Sequence, residues 1–289
     1  MDQRLSPRRR AYDLGLRLCM IFCAGVTCAL LIFLIGYIFY RGAGGVTWDF
    51  LSGTTSYIRD TIGILPNILN TLYIVLLAMA LVLPLGVGAA IYLTEYAANR
   101  RVVELIEFAT ETLTGIPSII YGLVGMLVLV PAVRSIFHVP DGASLLAAII
   151  VLAIMILPSI IKVSVTALDA VPKEYENASL ALGASPVETF FWVSVPAAKS
   201  GIAAAVVLGV GRAIGEAMAI ILVAGNVSNM PGLFTPVRFL TTGIISGMAY
   251  ASVGSLYQQA LYSIGLVLFL FIMLINVFLN VCVKNRKEG

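Results

Sequence analysis

Apolar residues run along this chain in stretches of twenty or more. They are too long and unbroken for half-buried strands or for the one-sided helices of a soluble core. A helix needs about 20 such residues to cross the hydrocarbon of a bilayer. Six stretches qualify, at 15–40, 67–94, 112–131, 143–166, 197–224 and 257–283. The pattern predicts an all-α, polytopic membrane protein of six transmembrane helices. Short polar ends flank it: a basic segment over 1–14, a membrane domain over 15–283 and a tail over 284–289. The first run is too long for a signal-peptide core and lacks a small-residue cleavage site, so it reads as a retained helix.

Composition sharpens the class. The chain is 60% hydrophobic and 11% charged, against about 25% charged in soluble domains, which excludes an ordinary soluble protein. A net charge of +3 is too small to imply a nucleic-acid partner, so the placement of the charges matters more than their sum. With the N-terminus inside, the inner segments hold Arg4, Arg8, Arg9, Arg10, Arg17, Arg100, Arg101, Lys162, Lys173, Lys199, Lys284, Arg286 and Lys287. The outer ones hold Arg41, Arg59, Arg134 and Arg238. The bias predicts both termini in the cytoplasm. Cys19 and Cys23 have helical spacing, but no histidine or further cysteine joins them into a metal site.

The longest inner connection, 167–196, is LDAVPKEYENASLALGASPVETFFWVSVPA. Its periodic apolar residues and defined stops are unlike a flexible linker. A short helix is predicted from Lys173 to Leu182, entered at Pro172 and stopped at Gly183. A second is predicted to start near Ser185, with Pro186 in its first turn and Glu188 completing a capping box.

On these residues the segment resembles the EAA loop of binding-protein-dependent ABC importer permeases: Ala178, Gly183 and Pro196 fall at the family's spacing, and Asn177 stands where the family has glutamate, with Glu174 and Glu176 just upstream. The resemblance implies the type I importer permease fold, a coupling helix that docks on an ATPase subunit, and a bacterial inner-membrane location. Four further segments narrow it to permeases of phosphate importers, of the A-type. They are GILPNILNTLYIVLLAMALVLPLGVGAAIYLTEYA, ETLTGIPSIIYGL, GRAIGEAMAIILVAGN and TPVRFLT. Implied partners are a second, C-type permease, a dimer of ATP-hydrolysing subunits and an external phosphate-binding protein. No Walker-type GxxxxGK[ST] loop is present, so no cofactor is expected on this chain and ATP is expected to be used by the partners. Importers of molybdate or sulfate are the alternative. A membrane enzyme or receptor is a more distant one, since the single histidine, His138, has only Asp141 near it in sequence.

The GRAIGE stretch carries the sharpest chemistry. An arginine at the centre of a bilayer costs about 2.5–3.5 kcal/mol on insertion scales, so intramembrane charges mark function or tight pairing. On a continuous helix Arg212 and Glu216 share a face and can pair. Either they fix packing, or Arg212 offers its planar fork to an oxyanion in the substrate path while Glu216 prevents over-tight binding. Gly211 and Gly215 form a GxxxG pair, and Gly201, Ala205 and Gly209 a second small-residue ladder, both predicted to let helices approach closely.

Overall fold

The computed structural model describes residues 7–56, 61–96 and 99–285. Arg4, Arg59, Arg286 and Lys287, and the outer parts of both polar ends, lie outside them. Among the described residues five helices are long and apolar enough to span a membrane, or six if one bent pair forms a single span. In chain order they are α1 (Pro7–Gly42), a short α2 (Trp48–Ser52), a hairpin of β1 (Thr54–Ser56) and β2 (Thr61–Ile64), α3 (Leu65–Ile91), α4 (Arg100–Gly115), α5 (Ser118–Phe137), α6 (Leu145–Asp169), α7 (Lys173–Ala181), α8 (Pro186–Ala197), α9 (Lys199–Gly215), α10 (Met218–Val223), α11 (Leu240–Met248) and α12 (Leu256–Asn285).

The core forms around α6, flanked by α3 and α9. Leu152, Ile156 and Ile160 of α6 are fully buried. A Cβ added at Gly86 of α3 would lie 2.7 Å from Ile160, and one at Gly209 of α9 also 2.7 Å from it. Missing side chains on both neighbours thus admit one isoleucine between them, which brings the backbones close. The second predicted ladder works as expected: Ala205 is buried, and Gly201 lies against Ala167. The first makes no such close approach among the described residues, where nothing lies within 4 Å of a Cβ built at Gly211 or Gly215.

Two predicted runs are redivided. The run at 112–131 opens in α4, an amphipathic helix bearing Glu104, Glu107 and Glu111, and the membrane-length helix begins only at Ser118. Pro117 causes the break, because it lacks an N–H and pushes Ile116 into extended backbone (φ −72°, ψ 129°). The run at 197–224 ends at Gly215 and resumes as α10. After α10 the chain folds back over the start of α6, where the carbonyls of Val223, Thr235 and Leu233 accept from the amides of Ser144, Leu145 and Leu146. Those amides have no partner inside their own helix, and the covering loop supplies one. His138 ends α5 in a left-handed conformation, φ 54°.

Candidate functional site

The break after α9 sets the geometry of the charged pair. Glu216 is extended (φ −73°, ψ 130°) rather than helical, so the shared face expected of residues 212 and 216 is lost. Arg212 and Glu216 form no ion pair among the described residues, and each is held separately. Arg212 Nη1 donates to Ser159 Oγ at 2.6 Å, just past Pro158 in α6. Glu216 Oε1 accepts from the amide of Ala219 at 3.1 Å, satisfying a first-turn donor of α10, while its carbonyl accepts from Thr241 Oγ1 at 3.0 Å. Both charged side chains are half-buried. Arg212 therefore sits inside the membrane domain on a neutral hydroxyl, and among the described residues Ser159 Oγ is the one hydrogen-bond partner shown for its five-donor fork. Ser159 was not picked out by sequence reasoning, although a polar residue after a proline within an apolar run was the available signal.

The segment from Lys173 to Pro196 folds as its punctuation predicts. Helix α7 starts after Pro172 and gives way to Gly183 at φ +91°, a left-handed value that glycine adopts without a Cβ penalty. Ser185 then caps α8 in a complete capping box: Glu188 N–H donates to Ser185 Oγ at 3.3 Å and Ser185 N–H donates to Glu188 Oε2 at 2.9 Å. Glu174, Asn177, Ala178, Gly183 and Pro196 are exposed. Glu176 is half-buried, and its carboxylate accepts from Ser194 Oγ at 2.9 Å, which ties α7 to α8. Leu182, 90% exposed, protrudes at the tip. The base is anchored by Phe190, buried with Ala90, Leu168, Val171 and Ala198. Helices α8 and α9 meet at 61°.

Lys162, counted among the inner charges, is an interior residue of α6, where its Nζ donates to Glu111 Oε1 of α4 at 2.9 Å. The ammonium holds the Glu111 carboxyl below the usual carboxylate range. Among the described residues no group of three His, Cys, Asp or Glu side chains is arranged to hold a metal ion.

Comparison with known proteins gives this geometry a family. Residues 82–286 match the model of the inner membrane component of binding-protein-dependent transport systems. The chain belongs to this family. It is similar to the probable ABC transporter permease protein YqgH of Bacillus subtilis, 41% identical over 74% of this chain and 71% of that one. The phosphate transport system permease protein PstC of Mesorhizobium japonicum is 35% identical over 75% of this chain and 72% of its own length. A homolog of the phosphate permease protein PstA from Mycoplasma pneumoniae is 30% identical over 88% of this chain, which spans 39% of that longer protein. In fold the chain is similar to an inward-facing MetNI methionine ABC transporter, with a TM-score of 0.57 at 20% identity over 77% of this chain and 94% of that one. The permease is thus a multi-pass membrane transport component with the type I importer fold, and not an enzyme.

Proposed function

We propose that this permease carries inorganic phosphate inward across the bacterial inner membrane, driven by ATP hydrolysed on partner subunits. The observation that carries the reading is Arg212: a permanently charged fork in a membrane helix, half-buried, anchored to Ser159 and paired with no carboxylate among the described residues. Arginine of this kind suits the oxygens of a tetrahedral oxyanion, and several relatives are named phosphate permeases. Glu216, close in sequence but bound to the Ala219 amide, supplies negative charge that keeps the anion from settling permanently. A carrier must release its cargo as well as bind it.

The working complex contains a second phosphate permease, two ATP-hydrolysing subunits and an external phosphate-binding protein, and this chain holds no cofactor of its own. Of the two permease positions, the A-type reading rests on the IYLTEYA and TPVRFLT segments. The relatives named PstC, at 33–35% identity, weigh toward the C-type position. Coupling runs through α7 and the turn that follows it, where Asn177, Ala178, Leu182 and Gly183 form the docking tip, Glu174 carries its exposed charge, and Pro196 lies in the last turn of α8 before the bend into α9. Both termini lie in the cytoplasm, as the loop charges favour.

The test is ATP hydrolysis by the reconstituted complex, with binding protein, in phosphate, sulfate and molybdate. Phosphate alone is expected to stimulate it. Stimulation by sulfate or molybdate but not by phosphate overturns the substrate assignment.

A further inference from the structure

Ser159, Lys162, Thr166 and Asp169 follow one another at helical spacing and form a single polar stripe down the second half of α6. The stripe begins at the hydroxyl that holds Arg212 and ends at Asp169, the last residue of the helix. Elsewhere around the helix, Leu152, Ile156 and Ile160 are buried and apolar. Beside the stripe lies a cleft of about 290 Å³ between α6 and α4, lined by Glu107, Thr110, Glu111, Lys162, Thr166 and Asp169, among others. Lys162 and Glu111 pair across it at 2.9 Å, with side chains 59% and 64% exposed.

An ion pair this exposed contributes little stability. Ionisable side chains in membrane helices face a protein interior or a water-filled cavity rather than lipid, so the open cleft side of this pair belongs on an aqueous path. Three residues of helix separate Ser159 from Lys162, a rise of about 4.5 Å. The residue that holds Arg212 and the residue that carries the second cation thus lie about one turn apart on the same face of α6. Their chemistry differs usefully. Arginine gives planar recognition, whereas lysine is a compact, strongly hydrated point charge that holds an anion without fixing its geometry.

We propose that Lys162 is a second oxyanion station, inward of Arg212, through which the anion leaves, and that Glu111 is its resident counter-ion, displaced as the anion arrives and returning to expel it. The proposal rests on the reading of Arg212 as a pathway residue. The stripe becomes the exit route, and the cleft between α4 and α6 its mouth.

The experiment uses the complete complex in vesicles, loaded with ATP inside, and follows inorganic phosphate uptake together with the yield of assembled complex. Lys162→Gln is expected to lower the maximal uptake rate about tenfold with assembly and half-saturating phosphate unchanged, the pattern of a lost step after binding. Lys162→Arg should restore most of the rate, and Glu111→Gln should slow it without affecting assembly. Wild-type uptake by Lys162→Gln overturns the proposal. So does a loss of assembly in Lys162→Gln that the double change with Glu111→Gln repairs, because that marks a packing pair. If Lys162→Gln fails to accumulate on its own, Glu111→Gln decides: unchanged uptake there overturns the station. Arg212→Gln run alongside separates the two ideas. Uptake retained in Arg212→Gln removes the pathway reading itself, whereas uptake lost there and intact in Lys162→Gln removes only the second station.

Discussion

Helix α9 is interrupted at both ends, and the two interruptions are made of different materials. Where α8 meets α9 at 61°, local bonds close the structure: Ala198 N–H donates to Ser194 O at 2.9 Å, Glu188 is spent on the Ser185 cap, and Glu176 on Ser194. Where α9 ends at Gly215, two opposite charges four residues apart are steered to separate partners, Arg212 to a hydroxyl and Glu216 to an amide. A break that holds a cation away from its neighbouring anion leaves charge for something arriving from outside. On the proposed function, one end of α9 is the end that is pushed and the other the end that receives.

Substitutions at the two ends should therefore fail in different ways. The largest effect is expected from Arg212→Gln, which should abolish phosphate uptake while the complex still assembles, with Arg212→Lys partly active because it keeps charge without the fork. Uptake assays paired with co-purification of the ATPase subunit read both. Next comes Gly183→Trp. A side chain at φ +91° strains the turn and adds bulk beside the docking tip, so uptake should fall severalfold while membrane insertion, read by fractionation, stays intact. Normal coupling in that variant would remove α7 from the coupling role.

Glu216→Gln should have a smaller effect. Glutamine keeps an oxygen for the Ala219 amide and removes only the charge, so turnover should slow while assembly holds. Glu216→Ala also removes the acceptor and should lower thermal stability by about 1 kcal/mol, the scale of a lost helix cap. The smallest change is Ser185→Ala, which breaks the capping box at the start of α8. It should destabilise the start of α8 by about 1 kcal/mol, seen as faster amide exchange there, with uptake nearly unchanged.

The coupling end was legible in the sequence because its determinants are local. Pro172, Gly183 and the Ser185–Glu188 box each act within a turn of their own position, and all three form as their residue types dictate. The receiving end was less legible because its determinants are tertiary. Glycine at 215 permits a break but does not announce one, and only the fold brings Ser159, 53 residues away, and Thr241, 25 residues away, to Arg212 and Glu216. Helix α4 escaped for a related reason: apolar counting merged its end with the next span, and only Pro117 separates them. The β1–β2 hairpin and α11 are short elements in segments that carried no periodic signal.

On the proposed function, Arg212 is held apart from Glu216 to meet an anion and is not half of a packing pair. The most direct test measures assembly and phosphate uptake together in Arg212→Gln, Glu216→Gln and the double variant. All three are expected to assemble with the ATPase subunits, and both variants lacking Arg212 to transport nothing. Failure of Arg212→Gln to assemble, with assembly and uptake both restored in the double variant, would contradict it.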